Sequence, residues 1–125
     1  MHRSRPQMPS SYGIDDGPPP LEWVTVEKLL VEARNYRVVS VRPDGRPHAT
    51  PVWGLWRKGC FWLSTDPDSR KGRNLLRSGE IVVHLESGDE VAIVEGTAVV
   101  FRVRPRRAFG WRERDFPTSA TRWET

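Results

Sequence analysis

The sequence holds a single cysteine, Cys60, among 125 residues, so no intrachain disulfide forms and nothing implies an oxidising compartment. Its apolar runs are short and broken by charge, and its start lacks the basic-then-apolar pattern of a signal peptide. Membrane insertion is therefore not expected, and a cytoplasmic location is. The three histidines, His2, His48 and His84, are scattered with Cys60 and lack the close ligand pairs of a zinc site, so no metal is expected. Cys60 has no activating base near it in sequence, and Ser40, Ser64 and Ser69 lack a nucleophile-elbow context. Thiol and serine-hydrolase chemistry are unsupported.

Lysine is also scarce, 3 against 17 arginines. Residues 1–100 carry 13 basic and 13 acidic side chains, whereas the last 25 carry seven Arg against three acids, which is the whole net charge of +4. A local cationic excess suits an anionic ligand, a nucleic-acid backbone or an acidic partner, and charge alone does not choose among them. The chain length corresponds to one ordinary domain. Mean hydropathy is low, −0.60, but six Trp and four Phe supply large buried areas from few positions.

Residues 1–20, rich in Pro, Gly, Ser and Asp, are expected to be a disordered or loosely draped arm, and residues 21–125 the folded domain. Thr25 is a candidate cap for a short helix with Val26, Leu29, Leu30 and Ala33 on one face, ending near Asn35. Tyr36 to Arg42 reads as a strand, Pro43-Asp44-Gly45-Arg46 as a turn, and His48 to Arg57 and Cys60 to Ser64 as the next two strands. Asp68 or Ser69 caps a second helix, with Gly79 suited to the C′ position just beyond its end. Ile81 to Glu86 and a long strand from Glu90 to Arg104, with Gly96 as a bulge, complete the pattern. The structure after Pro105 is left open. The fold class is mainly β (α+β), a barrel of about six antiparallel strands with one or two short helices.

Ser64-Thr65-Asp66-Pro67-Asp68-Ser69-Arg70-Lys71-Gly72-Arg73-Asn74 is the segment richest in chemistry. Two hydroxyls end a strand, and three cations and an amide surround a helix start. Free N–H groups and a partial positive charge at a helix N-terminus, joined by Lys and Arg, make a competent phosphate site. Basic side chains that merely solvate a helix face explain the same residues.

PDGRPHATPVW, FWLSTDPDSRKGRNL and IVVHLESGDEVAIVEGTA, in that order and spacing, resemble the signature segments of the pyridoxamine 5′-phosphate oxidase-like flavin/deazaflavin oxidoreductases. The closing PRRAFGW…TSATRW is similar to the branch containing many enzymes that use the deazaflavin coenzyme F420. The resemblance covers Val26 to Trp123. It implies a split β-barrel, usually a homodimer, that binds F420, or FMN as the second choice, and transfers hydride between that cofactor and a small organic substrate. Carried over residue by residue, Ser64, Thr65, Arg70, Lys71 and Asn74 are the expected phosphate and ribityl contacts. Ala49, Thr50, Pro51, Val52 and Trp53 lie on the strand expected beside the ring system. Arg122 and Trp123 match a terminal Arg-aromatic pair that helps close the site, although a tail pinned to the barrel by its aromatics explains them equally.

Members of that branch usually carry a helical segment where Val99-Val100 here runs directly into Phe101-Arg102. The shortened connection keeps a second reading open, a cofactor-binding or storage protein without turnover. A third, less favoured, is a small basic barrel that binds nucleic acid through the arginines and aromatics after Phe101. No catalytic residue is assigned, because the cofactor carries the hydride chemistry.

Overall fold

A computed structural model describes residues 2–13 and 21–125 of the chain. Its strands are β1 (His2–Ser4), β2 (Asn35–Val41), β3 (Pro47–Arg57), β4 (Cys60–Leu63), β5 (Glu80–Leu85), β6 (Glu90–Val99), β7 (Arg102–Arg112) and β8 (Thr121–Glu124). Two α-helices accompany them, α1 (Trp23–Glu32) and α2 (Arg70–Arg77). The order β7-β4-β3-β2-β5-β6 returns to β7, so six antiparallel strands close a barrel, and β8 and β1 extend from it. This is the expected mainly β split barrel.

The split lies along β7. Its start pairs with β4 (Phe61↔Val103, Trp62↔Arg102), its end with β8 (Arg107↔Glu124 to Gly110↔Thr121), and its other edge with β6 throughout. Pro105 falls between the two partners, where a residue without an N–H removes no ladder bond from that edge. Opposite it, the register shifts between Glu95 and Gly96, the bulge expected at Gly96. A Cβ there would stand 2.4 Å from the Arg104 carbonyl oxygen.

Period-two alternation fills the interior: Tyr36 and Val38 of β2, Val52 and Trp56 of β3, Phe61 of β4, and Val83 and Val94 of β5 and β6 are buried. Helix α1 is held on the barrel by buried Val26 and Leu30 and by the Trp56 indole N–H, which donates to Glu27 Oε2 at 2.9 Å. Trp23 packs edge-on against both Trp56 and Trp123, with ring centroids 6.1 and 5.3 Å away.

Four local expectations change. Glu22, not Thr25, precedes α1, and Thr25 lies within the first turn with its N–H bonded to the Glu22 carbonyl. Packing of Trp23 extends the helix past the residue with the better capping side chain. Asn35 opens β2 instead of stopping the helix, which ends at Glu32 with Ala33 as its C-cap. The stretch Glu90 to Arg104 is two strands joined by a turn at Val100-Phe101. Nothing in its β-branched sequence signals a turn, and Val100 takes φ 56°, a left-handed conformation costly for a β-branched residue. Beyond Pro105 the chain continues as β7. Within the region expected as an arm, His2–Ser4 pairs with β8, with Arg3 opposite Trp123. Residues 14–20 of that arm, and its boundary with the domain, lie outside the described residues.

Candidate functional site

Strand β3 pairs with β2 from Pro47 to Trp53, but β4 covers its other edge only from Gly54 to Arg57. Alternate backbone groups between Pro47 and Trp53 therefore face away from β2 with no strand of the described residues opposite them. Unpaired N–H and C=O groups at such an edge are ready partners for a polar ligand edge. Pro51 has no N–H and contributes only its carbonyl. On the outward face, Pro51 stands opposite Arg37 and Trp53 opposite Asn35. The Trp53 indole is 76% exposed.

Helix α2 delivers the cations to this edge. Ser69 caps it, accepting the Gly72 N–H at 3.1 Å while its own hydroxyl donates to the Asp66 carbonyl at 2.7 Å. The Thr65 hydroxyl lies 3.2 Å from Ser69 Oγ and belongs to the same network. Gly72 permits the close approach, since a Cβ would stand 2.3 Å from the Asp66 carbonyl oxygen. Fully buried Asn74 anchors the helix from below by donating to Ser40 Oγ of β2 at 3.1 Å. Its Oδ1 lies 3.5 Å from an Arg70 guanidinium nitrogen, at the limit of a hydrogen bond.

Together these elements form a groove of about 490 Å³ lined by Asn35, Pro51, Val52, Trp53, Ser64 and Lys71. Five of those six were candidates on sequence. Among the described residues, Lys71 makes no hydrogen bond or ion pair. A half-buried ammonium without an acidic partner, a hydroxyl, an exposed indole and an open strand edge fit a planar ligand that ends in an anion.

The remaining candidates separate. Ala49 and Thr50 lie on the same open stretch of β3. Arg70 lines a neighbouring cleft with Arg42, Pro43, Asp44 and Arg46. Asn74 is enclosed and supports α2. Arg122 pairs with Glu124, and Trp123 lies 2% exposed inside the core against Trp23. Sequence reasoning missed Asn35, taken as a helix stop, although its register opposite Trp53 follows once the hairpin is aligned.

His48 lies within this stretch of β3, its Nδ1 buried and, among the described residues, unpartnered. Desolvation first, and then the charges of Arg42, Lys71 and Arg70, hold its pKa below the usual value. The C-terminal arginines look elsewhere. Arg106 pairs with Glu80, Arg107 with Glu95, and Arg112 with Asp115, so much of the cationic excess is neutralised within the fold. Among the described residues, no cluster of three His, Cys, Asp or Glu could hold a metal ion, and no helix is long and apolar enough to cross a membrane.

Residues 25–118 match the family described as pyridoxamine 5′-phosphate oxidase. No curated protein matches the chain. Among solved structures, an F420 reductase is similar over 66% of this chain and 94% of its own, with 18% identity and a TM-score of 0.59. A conserved hypothetical protein from Mycobacterium tuberculosis is 28% identical over 62% of this chain, with a TM-score of 0.57, and the match spans 51% of that longer chain. An FAD-binding protein from Mycobacterium smegmatis is similar over 74% of this chain and 96% of its own, with 16% identity and a TM-score of 0.60.

Proposed function

The chain belongs to the pyridoxamine 5′-phosphate oxidase family, and we propose that it binds a flavin-type cofactor, F420 ahead of FMN, along the open edge of β3 with the cofactor phosphate at Ser64 and Lys71. One observation carries this reading. Pro51, Val52 and Trp53 of β3 and, from a separate segment, Ser64 and Lys71 line a single groove, in which Lys71 is unpaired among the described residues. In this reading Lys71 and Ser64 meet the phosphate, and Arg70 adds charge beside them. Ala49 to Trp53 offer backbone groups to the ring edge, and the Trp53 indole covers a ring face. Thr65 and Asn74 hold the helix that presents Lys71, while Arg122 and Trp123 brace the barrel behind it. The preference for F420 rests on the resemblance of the C-terminal segment.

Bound there, the cofactor would supply hydride transfer to or from a small organic substrate, and the protein would contribute binding and orientation. The exposed apolar side chains Trp53, Leu55 and Trp62 form one outward face beside the groove. That face supports a homodimer in which a second copy covers the cofactor. The two-residue turn at Val100-Phe101 favours, as a second reading, a protein that binds cofactor without turning over substrate.

Fluorescence titration of F420 and FMN into the wild type and Lys71→Ala tests the site. Saturable binding that Lys71→Ala weakens by about 1.5–3 kcal/mol is expected for loss of a charge-assisted contact. An unchanged affinity would remove Lys71 from the site, and no binding of either cofactor would overturn the reading. Reduced-cofactor oxidation assayed against a panel of small electrophiles separates the enzyme from the binding protein.

A further inference from the structure

Beside the groove lies a second cationic feature, which the cofactor-phosphate reading uses only through Arg70. The turn between β2 and β3 is rigid: the Arg42 N–H bonds to the Arg46 carbonyl at 2.8 Å, and the Gly45 N–H bonds to the Arg42 carbonyl at 2.9 Å. Asp44 closes onto the turn itself, accepting the Arg46 backbone N–H at 3.1 Å and the Arg46 Nε–H at 2.8 Å. These bonds hold its carboxyl below the usual carboxylate range. Among the described residues, the one carboxylate lining the cleft is therefore already engaged, while Arg42 is not: its Nε is buried without a partner. Arg42, Arg46 and Arg70, with Pro43 and Asp44, line a cleft of about 210 Å³. Three guanidinium groups face one carboxylate there, an excess of two positive charges.

This cleft adjoins the groove. Arg70 lines the cleft and Lys71, the next residue of α2, lines the groove. His48 lies within electrostatic reach of both, because Arg42, Lys71 and Arg70 all oppose its protonation. Its Nδ1 is a second buried polar atom without a partner. Among the described residues, the unpartnered Arg42 Nε–H and the cationic excess of the cleft are features that a bound anion would satisfy.

We propose that the cleft between the β2–β3 turn and the start of α2 is a second anion subsite, which takes a further phosphate or carboxylate of the same ligand whose first phosphate lies at Lys71. The inference rests on the cofactor reading and deepens it, since it selects ligands with two separated anionic groups over FMN, which has one phosphate. FAD carries a diphosphate and F420 a carboxylate-bearing tail, so the two sources of the second anion can be told apart.

The test titrates FMN, FAD and F420 into the wild type, Arg42→Gln and Arg46→Gln, with folding checked by circular dichroism. Arg42→Gln is expected to weaken FAD or F420 by about tenfold or more, the loss of one charge-assisted contact, and to leave FMN within about twofold. Arg46→Gln gives the same pattern should Arg42→Gln fail to fold. Equal weakening of all three ligands, or of none, overturns the subsite. If no cofactor binds, the cofactor reading fails by itself, and the subsite is read directly from the His48 ring signals by NMR. Inorganic pyrophosphate is expected to shift them in the wild type and not in Arg42→Gln. The absence of any shift, or an equal shift with orthophosphate, overturns the two-anion site.

Discussion

Trp53 and Trp123 occupy strands of the same sheet and were both candidate cofactor-site residues, yet one is 76% and the other 2% exposed. The difference arises from what lies across each strand. Trp53 is the last β3 residue before β4 covers the second edge, on the outward face opposite Asn35. Trp123 is opposite Ala108 of β7 on one side and Arg3 of β1 on the other, and its ring reaches Trp23 on α1. A strand flanked on both sides and roofed by a helix commits its inward residue to packing. A strand with one open edge leaves its aromatic side chain for a ligand or a partner subunit.

The contrast can be broken most forcefully at its buried end. Trp123→Ala should cost about 3–5 kcal/mol of stability by opening a large cavity in a packed core, measured as a lower denaturation midpoint. A loss below ~1 kcal/mol would mean that the indole is not a core element. Asn74→Ala should cost about 1–3 kcal/mol by stripping Ser40 of its buried partner. Its effect on cofactor affinity should appear only through α2, so Asn74→Asp, which keeps an acceptor for Arg70, should bind better than the alanine variant.

Trp53→Ala sharpens the comparison from the exposed end. It should leave stability within ~0.5 kcal/mol, as for most surface substitutions, yet weaken cofactor binding by ~0.5–1.5 kcal/mol, the worth of an aromatic stacking pair. Stability that fell with binding would show that Trp53 serves the fold. The smallest effect belongs to His48. Its folded-state pKa lies below the usual 6.5, so the folded protein resists protonation more than the unfolded chain does. Stability should therefore be flat above about pH 7 and fall as pH drops through the unfolded-state value toward the lower folded one. Urea midpoints from pH 8 to pH 5 for the wild type and His48→Gln should differ in slope only below that point. Parallel slopes would remove His48 from the cationic cluster.

Much of the fold was legible in advance because it follows from local chemistry. Alternation in YRVVSVR, the Asp-Gly turn and the Ser69 cap each specify their own segment with few long-range demands. Val99-Val100-Phe101 was not legible. Its residues favour extended backbone, and the chain reverses there only because β7 must return along β6 to close the barrel. Glu22 displaced Thr25 at the start of α1 for a similar reason, the packing of Trp23 on Trp56 and Trp123. In the site, the basic segment pointed to Lys71 and Ser64. Asn35, Arg42 and His48 acquire meaning only when the β2–β3 hairpin is set beside α2.

The sequence by itself determined the element types, most turns and the cluster of hydroxyls and cations before and within α2, because these depend on side chains adjacent along the chain. Only the tertiary structure decided which edge of β3 stays open, which cations meet and which tryptophan is exposed. Those properties depend on which strand lies across from which, and residues far apart in sequence set that through barrel closure.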